Sequence, residues 1–400
     1  MFPSINPWLA LELSFAVALV VCNRMTPPVK RFAERIGAMD VPKDDRRVHD
    51  HPIPRMGGLA IIVGFFLSAL LFVPVSERVY GIVIGAFIIA GMGFVDDIVS
   101  LRPMVKFLIQ IFAALVCVRF DVVIDAISWP VVQTYLDLGK LSTPLTVLWI
   151  VLCTNAFNLI DGLDGLAAGV TAICSFFLLA ASVLFAVADP AAALILTALI
   201  GACLGFIPFN FNPAKIFMGD VGSQFLGFIL ATTAILGHFK LQAVLAFALP
   251  LADTGFAVVR RLAHGQSPFH ADKGHFHHRL LAMGLSQKQT VLVLYGVAAI
   301  GGVVSLWIAG RGPGIRVICI AAIVITLVCI GVLIFVRNPR RARLREERKK
   351  QREEKKKQAW PAPPPPRHYE YENARCNCSV TVIRRSQATK NPVDNREILR

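Results

Sequence analysis

Polar and apolar positions along this chain do not alternate as they would on a half-buried strand or a soluble amphipathic helix. They segregate instead into long apolar runs separated by polar segments. The runs lie near 8–23, 57–75, 79–95, 103–120, 144–159, 166–188, 191–208, 222–238, 241–259, 290–309 and 315–336. A helix needs about 20 apolar residues to cross a hydrocarbon core, and most of the runs approach that length. Lipid admits only helices or closed barrels, and runs of Leu, Ile, Val, Ala and Phe without a period of two have no barrel signature. The pattern predicts an all-α, polytopic transmembrane helical bundle with about eleven spans, some of them short.

Composition supports that class. Of 400 residues, 55% are hydrophobic and only 17% charged, too greasy a balance for a soluble domain. The first run has no basic segment before it and no small-residue cleavage site after it, so it reads as a span and not as a signal peptide. Lys and Arg collect in alternate loops: Arg24, Lys30, Arg31, Arg35, Lys43, Arg46, Arg47 and Arg55 in one, Arg260, Arg261, Lys273, Arg279 and Lys288 in another. The loops between are poor in them, which places the N-terminus outside and the C-terminus in the cytoplasm. The formal charge of +15 then belongs to cytoplasmic loops and tail beside anionic lipid, and it does not call for nucleic acid. Residues 1–336 form the membrane domain, and 337–400 read as a basic, Pro-containing cytoplasmic tail without a packed core.

The polar residues fall on the cytoplasmic side of this map. Four segments are rich in acids, amides or imidazoles: "GFVDDIVSLR" (93–102), "NAFNLIDGLDGLAAG" (155–169), "FNFNPAKIFMGDVGS" (209–223) and the loop after Pro250. Carboxylates at membrane depth are costly unless paired or hydrated, so their gathering at one face implies a shared ligand, most simply a divalent cation. Taken alone, Asp96-Asp97 also fits a solvated interfacial pair. In Asn158-x-x-Asp161-x-x-Asp164 the spacing of three keeps the side chains near one helical face, and Gly162 and Gly165 let a ligand approach the backbone. Asp220 stands where a helix begins, a geometry that suits either a helix dipole or a bound phosphate.

His264, His270, His275, His277 and His278 share one loop with Arg260, Arg261, Lys273 and Arg279. Zinc is the alternative reading, but no matching Cys set accompanies them, and anion or sugar-phosphate binding fits the mixture better. Seven of the nine cysteines lie in or beside apolar runs, as small hydrophobes do. The chemistry indicated is metal-assisted phosphoryl transfer at the inner face of a membrane.

Five motifs in order, "DVPKDDRRVHDHPIPRMGG" (40–58), "GFVDDIVSLRPMVK" (93–106), "NAFNLIDGLDGLAAG", "FNFNPAKIFMGDVGS" and "PFHADKGHFHHRLL" (268–281), resemble the polyprenyl-phosphate N-acetylhexosamine-1-phosphate transferase family. The resemblance implies an enzyme that joins a UDP-N-acetylhexosamine to undecaprenyl phosphate, releasing UMP, with Mg2+ as cofactor and Mn2+ as an admissible substitute. It implies a bacterial cytoplasmic membrane location, and it leaves a homodimer open. By the same resemblance Asn158 and Asp220 hold the metal, and Asp96 and Asp97 prepare the lipid phosphate, with Asp97 favoured as base. Lys106 contacts that phosphate, Asp164 and Phe217 meet the uracil, and Asp161 supports as a further carboxylate. Arg261, His275, His277 and His278 read the sugar and diphosphate. "HADKGHFHHRLL" and "PIPRMGG" resemble the branch that initiates teichoic acid, O-antigen or arabinogalactan synthesis, which implies UDP-GlcNAc as donor. The alternative is a phospho-N-acetylmuramoyl-pentapeptide transferase. A more distant one, an ion or metal transporter, would need charges deep in the spans and a partner constellation on the outer face.

Overall fold

The computed structural model describes residues 6–40, 52–129, 134–185, 189–266, 274–310 and 313–335. The predicted tail, 337–400, and His270 lie outside them.

Helices dominate, and each predicted apolar run falls on helix, the run 241–259 on two. In order they are α1 (Pro7–Arg35), α2 (Gly58–Phe72), α3 (Glu77–Val99), α4 (Pro103–Arg119), α5 (Ser142–Ile160), α6 (Leu166–Phe185), α7 (Pro190–Asn210), α8 (Asp220–Leu236), α9 (Lys240–Ala246), α10 (Ala248–Ala263), α11 (Phe276–Ala282), α12 (Gln287–Ala309) and α13 (Pro313–Phe335). Their starts follow local chemistry. Asn6, Ser76 and Asp189 accept backbone N–H groups at the N-termini of α1, α3 and α7, and Ser286 with Gln289 closes a capping box at α12. Pro7, Pro103 and Pro190 sit at helix starts, where no intrahelical N–H is lost.

Among the described residues seven helices are long and apolar enough to cross a membrane, or eight if the bent pair α9 and α10 is one broken span. The apolar helices α2 and α8, of 15 and 17 residues, are shorter than that test. α8 begins only at Asp220, after the loop 211–219 within the motif quoted above. The run 241–259, expected as one continuous span, is broken by a 72° bend between α9 and α10. Pro250, in the first turn of α10, has no N–H to give to Ala246 O, so the α9 helix does not run on straight through it. Beyond the bend the helix is amphipathic, burying Asp253, Thr254 and Arg261 while Phe256, Val259 and Leu262 stay exposed.

α7 and α8 form the centre. Nearly every residue of both is buried, as expected of helices apolar on all faces. α1, α2 and α6 pack on α7, α3 and α5 on α8, and α4 lies against α3 and α5. α12 joins α6, while α13 packs on α12 and exposes most of its surface. Two small antiparallel pairs interrupt the all-α architecture: β1 (Met39–Asp40) with β2 (Ile53–Pro54), and β3 (Ala126–Trp129) with β4 (Thr134–Asp137). The first leads the chain into the site.

Candidate active site

The site is built on the N-terminus of α8. Segment 54–58 runs beside residues 217–218 through three backbone bonds of 2.8 Å each: Phe217 N to Pro54 O, Gly57 N to Phe217 O, and Gly58 N to Met218 O. A Cβ on Gly58 would collide with Gly222, and one on Gly93 with Val221, so glycines set how closely α2 and α3 approach α8. Gly219 has φ +76°, and a Cβ there would strike the Asp97 carboxylate. These contacts place the end of α3 against the start of α8.

Asp97 fills that junction. Its Oδ1 accepts from Asp220 N at 2.9 Å and its Oδ2 from Val221 N at 3.2 Å, which caps α8. Arg55 donates Nε and Nη2 to the same Oδ1 at 3.1 and 2.7 Å. The Asp97 side chain is 0% exposed. Both oxygens of Asp97 thus hold the start of α8 in place.

Asp96, its neighbour, turns elsewhere. Its Oδ1 accepts from Leu101 N at 2.7 Å, and its Oδ2 faces Lys106 Nζ at 3.1 Å. Lys106 also donates to Asp220 Oδ2 at 2.9 Å, so one ammonium bridges two carboxylates from different helices. Asn158 donates Nδ2 to Ser223 Oγ at 2.8 Å, which turns its amide oxygen away from that bond. Asp96, Asp97, Lys106, Asn158 and Asp220 are thus brought together as the sequence predicted. Arg55 and Ser223 join them and were missed as site residues, although both stand inside motifs quoted above.

Asp161 closes α5 as its C-cap. Burial first, then the carboxylates of Asp220, Asp97 and Asp164, push its carboxyl up to about 8. Its folded-state value lies above the unfolded one, so the folded protein holds the proton more tightly. That contribution to stability is complete at low pH and is lost as pH rises through about 8. In chelator, the melting temperature is expected to fall between pH 5 and 9, and Asp161→Asn to flatten the fall. An unchanged slope in the variant removes Asp161 as its source.

Asp164 ties two loops. Its Oδ2 accepts from Asn212 Nδ2 at 2.8 Å and Ala214 N at 3.1 Å, and Asn212 reaches on to Gln287 Oε1 at 2.6 Å. Asn210 accepts from Gly165 N at 3.0 Å, and Tyr295 donates to Gly165 O at 2.5 Å. The turn between α5 and α6 is therefore fixed from α7, α12 and the loop before α8. Phe217 lies half-buried beside Arg55, its backbone paired with segment 54–57.

The imidazoles approach from the other side. Asp253 on α10 accepts from His275 Nδ1 at 2.9 Å and from Phe276 N at 2.8 Å, so one carboxylate orients the ring and caps α11. His275 and His277 stack with centroids 5.7 Å apart, and His277 and His278 lie 4.3 Å apart. The His277 ring rests where a Cβ on Gly162 would be, which joins this loop to the Asn158 motif. Burial, His278 and His275 lower His277 to about 4, so it is neutral at pH 7 and offers hydrogen bonds, not charge. Arg261 is buried at the end of the same helix, α10. His264 is exposed, and its Nδ1 lies 2.7 Å from Arg260 O, four residues back on the same helix end. Asp253 was missed as a site residue; its signal was an acid on the buried face of an amphipathic helix.

Among the described residues no three His, Cys, Asp or Glu side chains are arranged to hold a metal by themselves. The donors present still suit magnesium, which takes one or two protein oxygens and leaves the rest to water and substrate phosphate. Asn158 offers a free amide oxygen and Asp220 a carboxylate. Around them the four carboxylates of Asp96, Asp97, Asp161 and Asp220 face two cations, Lys106 and Arg55.

Carboxylates bridged by Lys106 and Arg55 gather at the start of α8 in a bundle that has helices long and apolar enough to cross a membrane. The sequence pattern of glycosyl transferase family 4 matches residues 79–238. A Bacillus subtilis protein named "probable undecaprenyl-phosphate N-acetylglucosaminyl 1-phosphate transferase" is 42% identical over 295 residues, 71% of this chain and 81% of its own. A Mycobacterium tuberculosis decaprenyl-phosphate N-acetylglucosaminephosphotransferase is 36% identical over 348 residues, covering 76% and 85%. A Staphylococcus aureus phospho-N-acetylmuramoyl-pentapeptide-transferase is 30% identical over 276 residues, covering 64% and 84%. The chain belongs to the polyprenyl-phosphate N-acetylhexosamine-1-phosphate transferases of glycosyl transferase family 4, and it is a phosphotransferase.

Proposed function

We infer that the protein transfers N-acetylglucosamine-1-phosphate from UDP-GlcNAc to undecaprenyl phosphate, giving undecaprenyl-diphospho-GlcNAc and UMP. The observation that carries this reading is the Lys106 ammonium held between Asp96 and Asp220, beside the capped end of α8. The donor follows the names of the more similar relatives, at 42% and 36% identity against 30% for the muramoyl-pentapeptide enzyme.

In this reading a lipid phosphate oxygen attacks the β-phosphorus of the UDP-sugar. One P–O–P linkage forms, the linkage to UMP breaks, and UMP leaves as the anion. Of the two aspartates Asp96, and not the expected Asp97, takes the proton of a lipid phosphate monoester, since both Asp97 oxygens cap α8 while Asp96 Oδ2 meets the Lys106 ammonium at 3.1 Å. Lys106 holds the attacking phosphate, and Asp164 and Phe217 form the uracil end. The histidine loop, oriented by Asp253, meets the sugar and diphosphate. Asn158 and Asp220 would hold a magnesium ion, which when bound would supply charge neutralisation at the diphosphate. The eleven apolar segments thread the bacterial cytoplasmic membrane with the N-terminus outside and the site and C-terminus in the cytoplasm.

The test is transfer of radiolabel from UDP-GlcNAc to undecaprenyl phosphate by purified protein, with magnesium and then with chelator, and with UDP-MurNAc-pentapeptide in parallel. Magnesium-dependent lipid labelling from UDP-GlcNAc alone is expected. Labelling from the muramoyl donor would move the protein to the other branch, and labelling from neither would overturn the donor assignment.

A further inference from the structure

Beneath the charged residues lies a second polar layer that the reaction above does not use. Gln110 is 2% exposed and Gln224 1%, and Asn155 is half-buried beside them. Asn155 Nδ2 donates to Gln110 Oε1 at 2.6 Å, Gln110 Nε2 to Gln224 Oε1 at 2.8 Å, and Gln224 Nε2 to Asp220 Oδ2 at 3.0 Å. The layer repeats the one above it. Lys106 and Gln110 are four residues apart on α4, as Asp220 and Gln224 are on α8, so one turn below the Lys106–Asp220 bridge the same helices are joined by neutral amides. On α5, Asn155 stands one turn from Asn158, so the third helix also contributes to both layers.

We propose that Asn155, Gln110 and Gln224 form an amide relay that positions Asp220 from inside the bundle. The direction is forced from one end. An ionised carboxylate only accepts, so Gln224 must present its NH2 to Asp220 and its oxygen to Gln110. Gln110 must then present its NH2 to Gln224, and it meets Asn155 as a reciprocal amide pair: its oxygen accepts from Asn155 Nδ2 at 2.6 Å, and its Nε2 also donates to Asn155 Oδ1 at 3.4 Å. Asn155 completes the chain and gives a further bond to Val151 O at 2.8 Å, one turn back on its own helix. Each buried amide thus has both a donor and an acceptor role filled, and in the interior no water competes for either. The consequence is specific. Gln224 and Lys106 converge on Oδ2 of Asp220, which fixes the carboxylate and leaves Oδ1 outside this pair of bonds. Gln110 and Asn155 touch no reactant and act only through this chain.

The relay rests on the reading of Asp220 as a diphosphate-side, metal-binding residue, and the experiment separates the two. Gln110→Met and Gln224→Met conserve approximate volume while removing the amides, and Ser68→Ala serves as a control for lost buried bonding, since Ser68 bonds Ser14 at 2.8 Å away from the site. In the full-length protein, kcat, the magnesium half-saturation, both KM values and the melting temperature are measured. Calorimetric binding of UDP-GlcNAc with magnesium, in the absence of lipid, gives a readout apart from turnover. Gln110→Met is expected to lower kcat and weaken magnesium-dependent nucleotide binding by about 10-fold or more, the usual cost of losing a supporting partner, with KM for the lipid phosphate unchanged. The double variant should be no worse than Gln224→Met alone, because the two amides act in series. If Gln110→Met does not fold, Asn155→Ala tests the half-buried end of the chain. A melting-temperature loss like that of Ser68→Ala, with normal kcat and nucleotide binding, overturns the relay. Full turnover in Asp220→Asn would instead remove Asp220 itself, whereas an inactive Asp220→Asn beside normal relay variants removes only the relay.

Discussion

Asp220→Asn is expected to give a folded protein whose turnover is reduced by about 10²- to 10³-fold or more, the scale of losing one preorganised charged group in a phosphoryl-transfer site. Asn keeps an oxygen for Gln224 and a similar volume, so the amide layer and the packing of α8 survive. The charge does not survive. Lys106 would keep only Asp96 as a counter-ion, and the ammonium would settle on that carboxylate instead of bridging two helices. The site would also lose one of its two proposed metal donors. Loss of an acidic group from the first turn of α8 costs about 0.3–1 kcal/mol, too little to unfold a bundle of this size. Radiolabel transfer and a melting curve on the same preparation decide the matter. Turnover within a few-fold of the unmodified protein, at equal melting temperature, would take Asp220 out of the chemistry.

The helices were legible because lipid imposes one rule, long apolar runs, and each run fell on helix, the run 241–259 on two. Where the chain also serves the site, that rule weakens. The bend between α9 and α10 falls just before Pro250, which interrupts the backbone ladder inside a run whose average hydropathy stays high. The residues of the charged cluster were legible as types: Asp96, Asp97, Asn158 and Asp220 are expensive in a membrane chain and stand out. Their division of labour was not. Which of two adjacent aspartates caps α8 depends on the helix that abuts them, and that approach is set by Gly58, Gly93 and Gly219 in three separate motifs. Arg55 was read as one more cytoplasmic charge because its partner lies 42 positions away. Gln110 and Gln224 sit singly in apolar runs, where only the four-residue spacing from Lys106 and from Asp220 hinted at a second layer.

The paired aspartates provide the sharpest contrast. Asp96→Asn is expected to leave the melting temperature nearly unchanged and to cut kcat by about 10²- to 10⁴-fold, the range for loss of a general base. Its amide oxygen still accepts from Leu101 N, and Lys106 still has Asp220. Asp97→Asn is expected to fail in the opposite way. Its oxygen can still cap α8, but Arg55, whose side chain is 26% exposed, loses its counter-ion against a partner that is 0% exposed. Removing one member of a buried pair costs about 3–5 kcal/mol, and partial exposure of Arg55 brings the expected loss to the lower end of that range. The variant should melt earlier and lose turnover because the start of α8 is no longer held. Adding Arg55→Ala to Asp97→Asn removes the stranded charge and should recover part of the melting temperature, so the two changes will not be additive. Adding it to Asp96→Asn should recover nothing. Normal stability in Asp97→Asn, with kcat lost and no effect of Arg55 on it, would return the base to Asp97 and leave Asp96 as the partner that holds Lys106 in place.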